Sequence, residues 1–176
     1  MSVTVRFASQ DDAALLHNLA GKTFALACPP GTSQESIDDF VNSALSETSF
    51  AGYLADTDRD LLIVENDGVA AGYTMLVNGE PTDPDVLAAL TTHPTIELSK
   101  LYVLATSHGA GVGSALMGAT VDAARQRGAS AVWLGVNELN QRANRFYEKQ
   151  GFVIVGTKTF LLGGRYENDF VRELVL

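Results

Sequence analysis

The sequence predicts an α+β or α/β three-layer fold in which a mixed sheet lies between helices. Strand-like and helix-like segments follow one another as a strand, helices, three strands, a helix, a strand, a helix and two strands. The chain has 176 residues, 46% of them hydrophobic, which is enough for one well-buried core. No linker, internal repeat or low-complexity tract divides it. We therefore expect residues 1–176 to form a single domain.

The first third of the chain is predicted to be mainly helical. A strand over Val3–Ala8 precedes the capping-box pattern Ser9-x-x-Asp12, which indicates a helix that runs to about Ala27 and stops at two consecutive prolines. The same pattern in Thr32-x-x-Glu35 indicates that a second helix begins there. A third short helical piece is expected around Phe50.

The middle of the chain predicts a hairpin and a long connection. Two apolar segments, Leu61–Glu65 and Val69–Val77, flank an Asn-Asp-Gly turn and are typical of an antiparallel hairpin. The connection Glu80–Pro94 is long for a loop and has a helical turn near Val86–Leu90. Because long loops often help to form the site that they border, we expect this connection and the region Thr157–Asp169 to close the site.

The second half of the chain is predicted to alternate strands and helices. Gly128 is expected just past the end of the longer helix, and Asn140 is a good N-cap for the shorter one. The predicted elements are a strand that begins at Glu97, a helix to Arg127, a strand at Ala131–Val136, a helix to Gly151, and strands at Phe152–Phe160 and Asp169–Leu176.

A glycine-rich turn between the Glu97 strand and the long helix predicts a phosphate site. Gly109, Gly111 and Gly113 lack a Cβ, so several backbone N–H groups can converge on an anion. The helix that follows carries no acidic residue in its first turn, Val112–Ala115, which leaves its positive end free. Neither the Lys-Ser/Thr of a P-loop nor the later acidic residue of a dinucleotide fold is present. The alternative is a tight turn without a ligand.

Two motifs resemble the GNAT superfamily of acyl-CoA-dependent N-acetyltransferases. His108–Gly113, which reads HGAGVG, is similar to the signature Gln/Arg-x-x-Gly-x-Gly/Ala, although His108 departs from the usual first residue. Asn140–Phe152, which reads NQRANRFYEKQGF, is similar to the second motif N-x-x-A-x-x-F-Y-x-x-x-G-F. The resemblance covers essentially the whole chain. It implies a mixed, mostly antiparallel sheet, acetyl-CoA as co-substrate and direct attack by an amine.

Two residues are predicted to be catalytic. An aliphatic amine has a pKa near that of lysine, about 10.4, so a base near the acceptor is expected. The resemblance implies that Glu97 is this base, directly or through water, and strand alternation predicts that it shares a face with Ser99, Leu101 and Val103. An ordinary strand-end carboxylate or an acceptor-binding anion is the alternative. Tyr147 is implied as the general acid for the leaving thiolate, the alternative being a core aromatic with a satisfied hydroxyl.

The resemblance also implies which residues contact the acetyl donor, acetyl-CoA. Backbone groups of the Glu97 strand are expected to bind the pantetheine arm where that strand splays from its neighbour. Asn140 is expected to contact the same arm or to serve as a plain helix cap, and His108 to face the pyrophosphate. The predicted CoA-binding residues are Leu101, Tyr102, Val103, His108, Gly109, Ala110, Gly111, Val112, Gly113, Ser114, Asn140, Asn144 and Tyr147.

The acceptor is predicted to be a small cationic amine. The stretches Glu97–Val103, Trp133–Glu138 and Thr159–Asp169 resemble the bacterial spermidine/spermine N-acetyltransferases, which implies a polyamine. The formal net charge of −9 agrees with a cationic acceptor and excludes a nucleic-acid partner. A protein N-terminal or lysine acetyltransferase, and a non-catalytic acyl-CoA sensor, remain as alternatives.

Composition also bears on disulfides, metal sites and membrane association. Cys28 is the single cysteine and the three histidines are scattered, so neither a disulfide nor a metal site is expected. No apolar run approaches membrane length, and the N-terminus lacks a signal-peptide pattern. A soluble, cytoplasmic protein without a membrane partner is expected, and the resemblance makes a homodimer a further expectation.

Overall fold

A single seven-stranded sheet forms the centre of the computed structural model, which describes residues 1–176. The strands are β1 (Val3–Phe7), β2 (Arg59–Asn66), β3 (Val69–Asn78), β4 (Thr95–Val103), β5 (Ala131–Asn137), β6 (Val153–Leu162) and β7 (Arg165–Val175). Their spatial order is β1-β2-β3-β4-β5-β7-β6. Only β4 and β5 run parallel, and every other neighbouring pair is antiparallel. The predicted mixed, mostly antiparallel sheet is confirmed.

Helices cover both faces of this sheet. They are α1 (Ala13–Ala27), α2 (Gln34–Asn42), α3 (Glu47–Ala55), α4 (Pro84–Ala89), α5 (Val112–Gln126) and α6 (Gln141–Lys149). Alternate residues of β2 divide between two cores: Leu61 and Ile63 pack with α1 and α3, whereas Leu62 and Val64 pack with α5. Because successive side chains of this strand point to opposite faces of the sheet, each face has its own core under a layer of helices, which gives three layers.

Hydrogen bonds at the helix ends correct one predicted boundary. The Asp12 carboxylate accepts the Ser9 N–H at 2.7 Å, as the capping box predicts, but this box closes a short turn that precedes α1. The Thr32 prediction is wrong by one residue, because Ser33 Oγ accepts the Ser36 N–H at 3.1 Å and caps α2. The Thr32 hydroxyl donates instead to a carbonyl of the preceding turn.

The long connection Glu80–Pro94 packs away from the cavity described below, so the expectation that it closes the site is wrong. Its helix α4 places Val86 and Leu90 in a small core with Trp133 and Val171. These apolar side chains gain more from burial against the sheet than from facing a polar cleft. The connection therefore covers the outer strands instead of the site.

The last two strands are longer than predicted. They run to Leu162 and begin again at Arg165, so they are joined by Gly163 and Gly164 alone. Both glycines have positive φ, +57° and +76°, which suits a two-residue hairpin turn. The added residues extend this hairpin towards the open part of the sheet.

Candidate active site

The site lies where β4 and β5 diverge. Their backbone pairing runs from Thr95–Ala131 to Glu97–Trp133 and stops there. The rest of each strand, Leu98–Val103 and Leu134–Asn137, continues without a partner on the facing side. A cavity of about 660 Å³ opens between them and is lined by residues of both strands, of α1, α5 and α6, and of the β6–β7 hairpin. The expected splay of the Glu97 strand is therefore present.

The glycine-rich turn forms one wall of this cavity. Gly109 and Gly111 have φ of +79° and +76°, and an added Cβ at either would meet no atom within 4 Å. The first N–H to bond within α5 is that of Ala115, which donates to Gly111 O at 3.0 Å. The N–H groups of Val112–Ser114 thus lack partners within the helix, and no acidic residue lies in the first turn. This arrangement suits a phosphate group.

His108 bonds the end of β4 through its side chain. Its Nε2 lies 2.8 Å from Val103 O, and because a carbonyl only accepts, Nε2 donates and Nδ1 is left free. The imidazole therefore fixes the start of the turn relative to the strand. Its predicted contact with the pyrophosphate stays a prediction.

Asparagines at the start of α6 serve mainly to hold the backbone. Asn140 Oδ1 accepts the Ala143 N–H at 3.2 Å, which confirms the predicted cap, and the residue also lines the cavity. Asn144 donates to Asn137 O and Asn140 O, and its Oδ1 accepts from Arg172 Nε at 3.0 Å. Both the NH₂ group and the oxygen of the Asn144 amide are therefore bonded within the protein, and the residue does not line the cavity.

Ala110 and Val112 likewise lie outside the cavity wall, because both side chains face the core. Gly113 lines the cavity. Its lack of a side chain also leaves room for Phe146, because an added Cβ would lie 3.4 Å from that ring. The remaining residues that are predicted to bind CoA line the cavity; they are Leu101, Tyr102, Val103, His108, Gly109, Gly111, Gly113, Ser114, Asn140 and Tyr147.

Tyr147 presents a free hydroxyl to the cavity. The residue is 8% exposed, and its ring packs edge-on against Phe146 and Phe152 at centroid distances of 5.5 and 5.8 Å. Its hydroxyl has no hydrogen-bond partner in the protein, which argues against the alternative of a core aromatic with a satisfied hydroxyl. Burial raises the pKa of Tyr147 well above its usual range, so the hydroxyl is protonated and can donate.

The predicted face of Glu97 is wrong, because a bulge interrupts β4. Met75 pairs with Lys100 and the next residue, Leu76, pairs with Leu98, so the intervening residue of β4 has no partner. One extra residue inverts the alternation of side chains. Glu97 consequently shares its face with Lys100 and Tyr102, on the side of α1, and not with Leu101 and Val103.

Glu97 is half-buried and lines the cavity without a hydrogen bond or salt bridge. Burial raises its pKa above the usual range, whereas the positive charges of Lys158, Lys100 and Arg59 oppose the rise. A raised pKa makes this carboxylate a better proton acceptor.

Sequence reasoning assigned no role in the site to three charged residues, Lys100, Lys158 and Asp169. Lys100 and Lys158 line the cavity beside Glu97, and burial lowers the pKa of Lys100 to about 8. Asp169 is 8% exposed and also lines the cavity, and burial raises its pKa. None of the three belongs to a motif of its own, so only strand register reveals their position.

Aromatic rings close the side of the cavity that faces α1 and α2. Phe24 and Phe40 stack with centroids 4.5 Å apart, and Phe160 meets Phe40 edge-on at 6.1 Å. Cys28 also lies on this wall, and burial raises its pKa to about 11. The thiol is therefore protonated at neutral pH and is a poor nucleophile, which agrees with transfer that does not pass through a cysteine.

Comparison with known proteins identifies this arrangement. Residues 25–152 match the family model described as the Acetyltransferase (GNAT) family. The chain belongs to the GNAT acetyltransferase family. An uncharacterized N-acetyltransferase of Mycobacterium tuberculosis is 48% identical over 166 residues, which cover 93% of this chain and 99% of the relative.

Solved structures show the same GNAT fold. The PaiA N-acetyltransferase of Thermoplasma acidophilum, crystallised in complex with coenzyme A, has a TM-score of 0.79 at 19% identity and covers 100% of both chains. The spermidine/spermine N-acetyltransferase SpeG of Vibrio cholerae, crystallised in two mutant forms, has a TM-score of 0.66 at 20% identity over 99% of this chain and 95% of that one. At these identities the likeness shows the fold.

Two further findings describe the rest of this GNAT chain. No three His, Cys, Asp or Glu side chains are grouped so that they could hold a metal ion. None of the helices has both the length and the apolar character needed to cross a membrane.

Proposed function

We propose that this GNAT acetyltransferase transfers the acetyl group of acetyl-CoA to the primary amine of a small cationic acceptor by direct attack. One observation carries the proposal. A single cavity joins a helix start with free N–H groups, the free hydroxyl of Tyr147 and the unpaired carboxylate of Glu97. Acyl transfer to an amine needs these three elements, which bind the donor, assist the leaving group and accept a proton.

The donor fits the wall formed by β4 and α5. The free N–H groups of Val112–Ser114 would hold the diphosphate, and the unpaired edge of Leu101–Val103 would bond the pantetheine amides. The exposed basic side chains of Arg142 and Lys149 line the same cavity and offset the repulsion between phosphates and an acidic protein. Acetyl-CoA supplies the thioester carbonyl that the amine attacks.

Two side chains of this GNAT chain would move protons during the transfer. Glu97 accepts a proton from the acceptor amine, directly or through water, so that the nitrogen can form the new C–N bond. As the C–S bond breaks, the Tyr147 hydroxyl donates a proton to the departing thiolate. The remaining cavity residues position the reactants and exclude water.

A polyamine is the more specific acceptor that we propose. Three carboxylates, those of Glu97, Glu167 and Asp169, line the cavity, and the whole chain is acidic at −9. Both features support a multiply charged cation over a neutral amine. Lys100 and Lys158 reduce the negative charge at the same place, so an acceptor with a single charged amine, such as a peptide N-terminus or a lysine side chain, is the second candidate. The cytoplasmic location and the homodimer stay predictions.

A screen of acceptors with acetyl-CoA, read by thiol release, tests the proposal. It should include polyamines, straight-chain monoamines, and peptides with either a free α-amine or a lysine. We expect turnover with cationic small amines and its loss in Glu97→Gln and Tyr147→Phe. Binding of acetyl-CoA without turnover of any amine, or turnover that both variants retain, would support a non-catalytic acyl-CoA sensor instead.

A further inference from the structure

Asp169 is a charged cavity residue that the proposed reaction does not use. It lies in β7, is 8% exposed, and has no hydrogen bond or salt bridge to another side chain or to the backbone. Burying an unpaired carboxylate is unfavourable by several kcal/mol in typical proteins. An unpaired charge at the wall of a binding cavity therefore points to a partner outside the protein.

The position of the carboxylate follows from a missing side chain in β5. A Cβ added to Gly135 would overlap Lys158 Cε and would lie 3.4 Å from both Asp169 Oδ2 and Lys158 Nζ. Any larger residue would displace the lysine stem and crowd the carboxylate. Gly135 thus lets both side chains reach over β5 towards the gap between β4 and β5.

Lys158 lies beside Asp169 without pairing with it. The two residues are register partners in β6 and β7, yet the Lys158 ammonium forms no salt bridge and lies 5.8 Å from the centroid of the Phe160 ring. The positive charge of Lys158 weakens the attraction of Asp169 for a cation, whereas the negative charges of Glu167 and Glu138 strengthen it. The surroundings of Asp169 therefore leave it available to a positively charged ligand.

Glu97 and Asp169 share a face of the sheet but reach different points along it. Glu97 pairs with Trp133, whereas the Asp169 carboxylate lies over Gly135, two residues further along β5. Two residues of strand span roughly 7 Å at about 3.3 Å each, and Glu97 lies one strand away, on β4. Because both residues point towards the cavity, they can contact two separate groups of one elongated ligand.

We propose that Asp169 binds a second cationic group of the acceptor while the reacting amine lies at Glu97. This inference rests on the proposed function and deepens it, because it assigns acceptor selectivity to a residue of β7. The acceptor it describes is a diamine or longer polyamine, in which one nitrogen reacts and another stays protonated. Asp169 is then a specificity-determining residue that takes no proton during transfer.

The test compares straight-chain diamines with monoamines of the same length on the wild-type protein and on Asp169→Asn. In the wild type we expect the diamines to have the lower KM. In Asp169→Asn the KM for the diamine should rise about 10-fold or more, as expected when a hydrogen bond to a charged group is lost. The KM for the monoamine, the KM for acetyl-CoA and kcat should change less than about 2-fold.

Glu138→Gln is the matched control, because it removes an exposed negative charge near Asp169 that does not line the cavity. Because this charge is exposed and screened by solvent, Glu138→Gln should change the KM for the diamine less than about 2-fold. Asp169→Asn should also raise the melting temperature, because it removes an unpaired buried charge, whereas a purely structural Asp169 would make it fall.

Calorimetry of diamine binding to the CoA-saturated protein separates this inference from the proposed function. If no amine turns over but the diamine still binds the wild type more tightly than Asp169→Asn, the proposed function fails and the assignment of Asp169 stands. An unchanged diamine affinity in Asp169→Asn, or an equal loss for diamine and monoamine, overturns the assignment. If Asp169→Asn does not fold, Asp169→Ser takes its place in the same measurements.

Discussion

Glu97 and Trp133 are the last residues to pair between the parallel strands β4 and β5. Beyond this pair the sheet opens, and a ligand can reach backbone groups that a continuous sheet would have used itself. Helix α5 covers one face of this opening, and α1 and α2 cover the other. The proposed donor-binding and acceptor-binding parts of the site therefore come from different faces, and separate substitutions should disturb them separately.

A negative charge at the start of α5 should prevent donor binding. Gly111 is exposed at the N-cap, and we expect Gly111→Glu to weaken acetyl-CoA binding by about 100-fold or more, because its carboxylate would occupy and repel the phosphate position. Calorimetry with acetyl-CoA measures the effect. Gly111→Gln is the matched control, since it has the same size and the same unfavourable φ of +76° without the charge. Equal affinities for the two variants would contradict a phosphate site here.

Removal of the Tyr147 hydroxyl should slow the reaction without weakening the fold. We expect Tyr147→Phe to lower kcat by about 10² or more with little change in the KM for acetyl-CoA, because a general acid acts in the transition state. The hydroxyl has no protein partner, so the melting temperature should stay the same or rise. Steady-state kinetics and thermal unfolding provide the two measurements.

Tyr53→Phe is the control for Tyr147→Phe, and it should show the opposite pattern. The Tyr53 hydroxyl donates to Ala44 O at 2.8 Å and does not line the cavity. Its loss should lower the free energy of unfolding by about 1 kcal/mol and leave kcat unchanged. An effect of Tyr147→Phe on KM alone would make Tyr147 a binding residue.

Local patterns in the sequence were enough to predict the turn and the helix ends on the proposed donor side of the site. The glycines of the turn, the cap at Asn140 and the C-terminal glycine at position 128 act within one or two turns of backbone, and the structure places each as expected. The aromatic pattern of α6 likewise placed Tyr147 on the buried face.

The acceptor side could be predicted only in part, because the direction of its charged side chains depends on register between distant strands. The bulge between Leu98 and Lys100 reverses the face of Glu97, and nothing in the sequence of β4 marks it. Asp169 enters the site because the β6–β7 hairpin turns at two glycines, Gly163 and Gly164, which the predicted strand ends had left in a loop. That glycine pair was a usable signal for a tight hairpin.

The unpaired charge of Glu97 should reduce stability as the pH rises. Its pKa in the folded protein lies above the unfolded value, so between the two values the folded state binds more protons and unfolding becomes easier with increasing pH. We expect Glu97→Gln to remove this decline and to raise the free energy of unfolding at neutral pH. Denaturant unfolding at several pH values measures both effects.

Glu173→Gln is the matched control for Glu97→Gln, because Glu173 is buried but paired. Its carboxylate accepts the N–H groups of Thr91 and Thr92 at 3.0 and 3.2 Å and also accepts from the Thr91 hydroxyl. Weakening these bonds should lower the free energy of unfolding by about 1–3 kcal/mol. A loss of stability in both variants would show that Glu97 has a partner in solution.

Lys100 should help to set the pH above which Glu97 is deprotonated and can act as a base. Glu97 must lose its proton to act as a base, so kcat/KM should fall as the pH drops through its pKa. The positive charge of Lys100 lowers that pKa, and Lys100→Met removes the charge while keeping an unbranched side chain. We expect the acidic limb of the pH profile to move to higher pH, because Lys158 and Arg59 alone oppose the effect of burial. Lys22→Met, which removes an exposed charge on α1, should leave the limb in place. A limb that stays fixed in Lys100→Met and disappears in Glu97→Gln would show that Glu97 is the base but that Lys100 does not tune it.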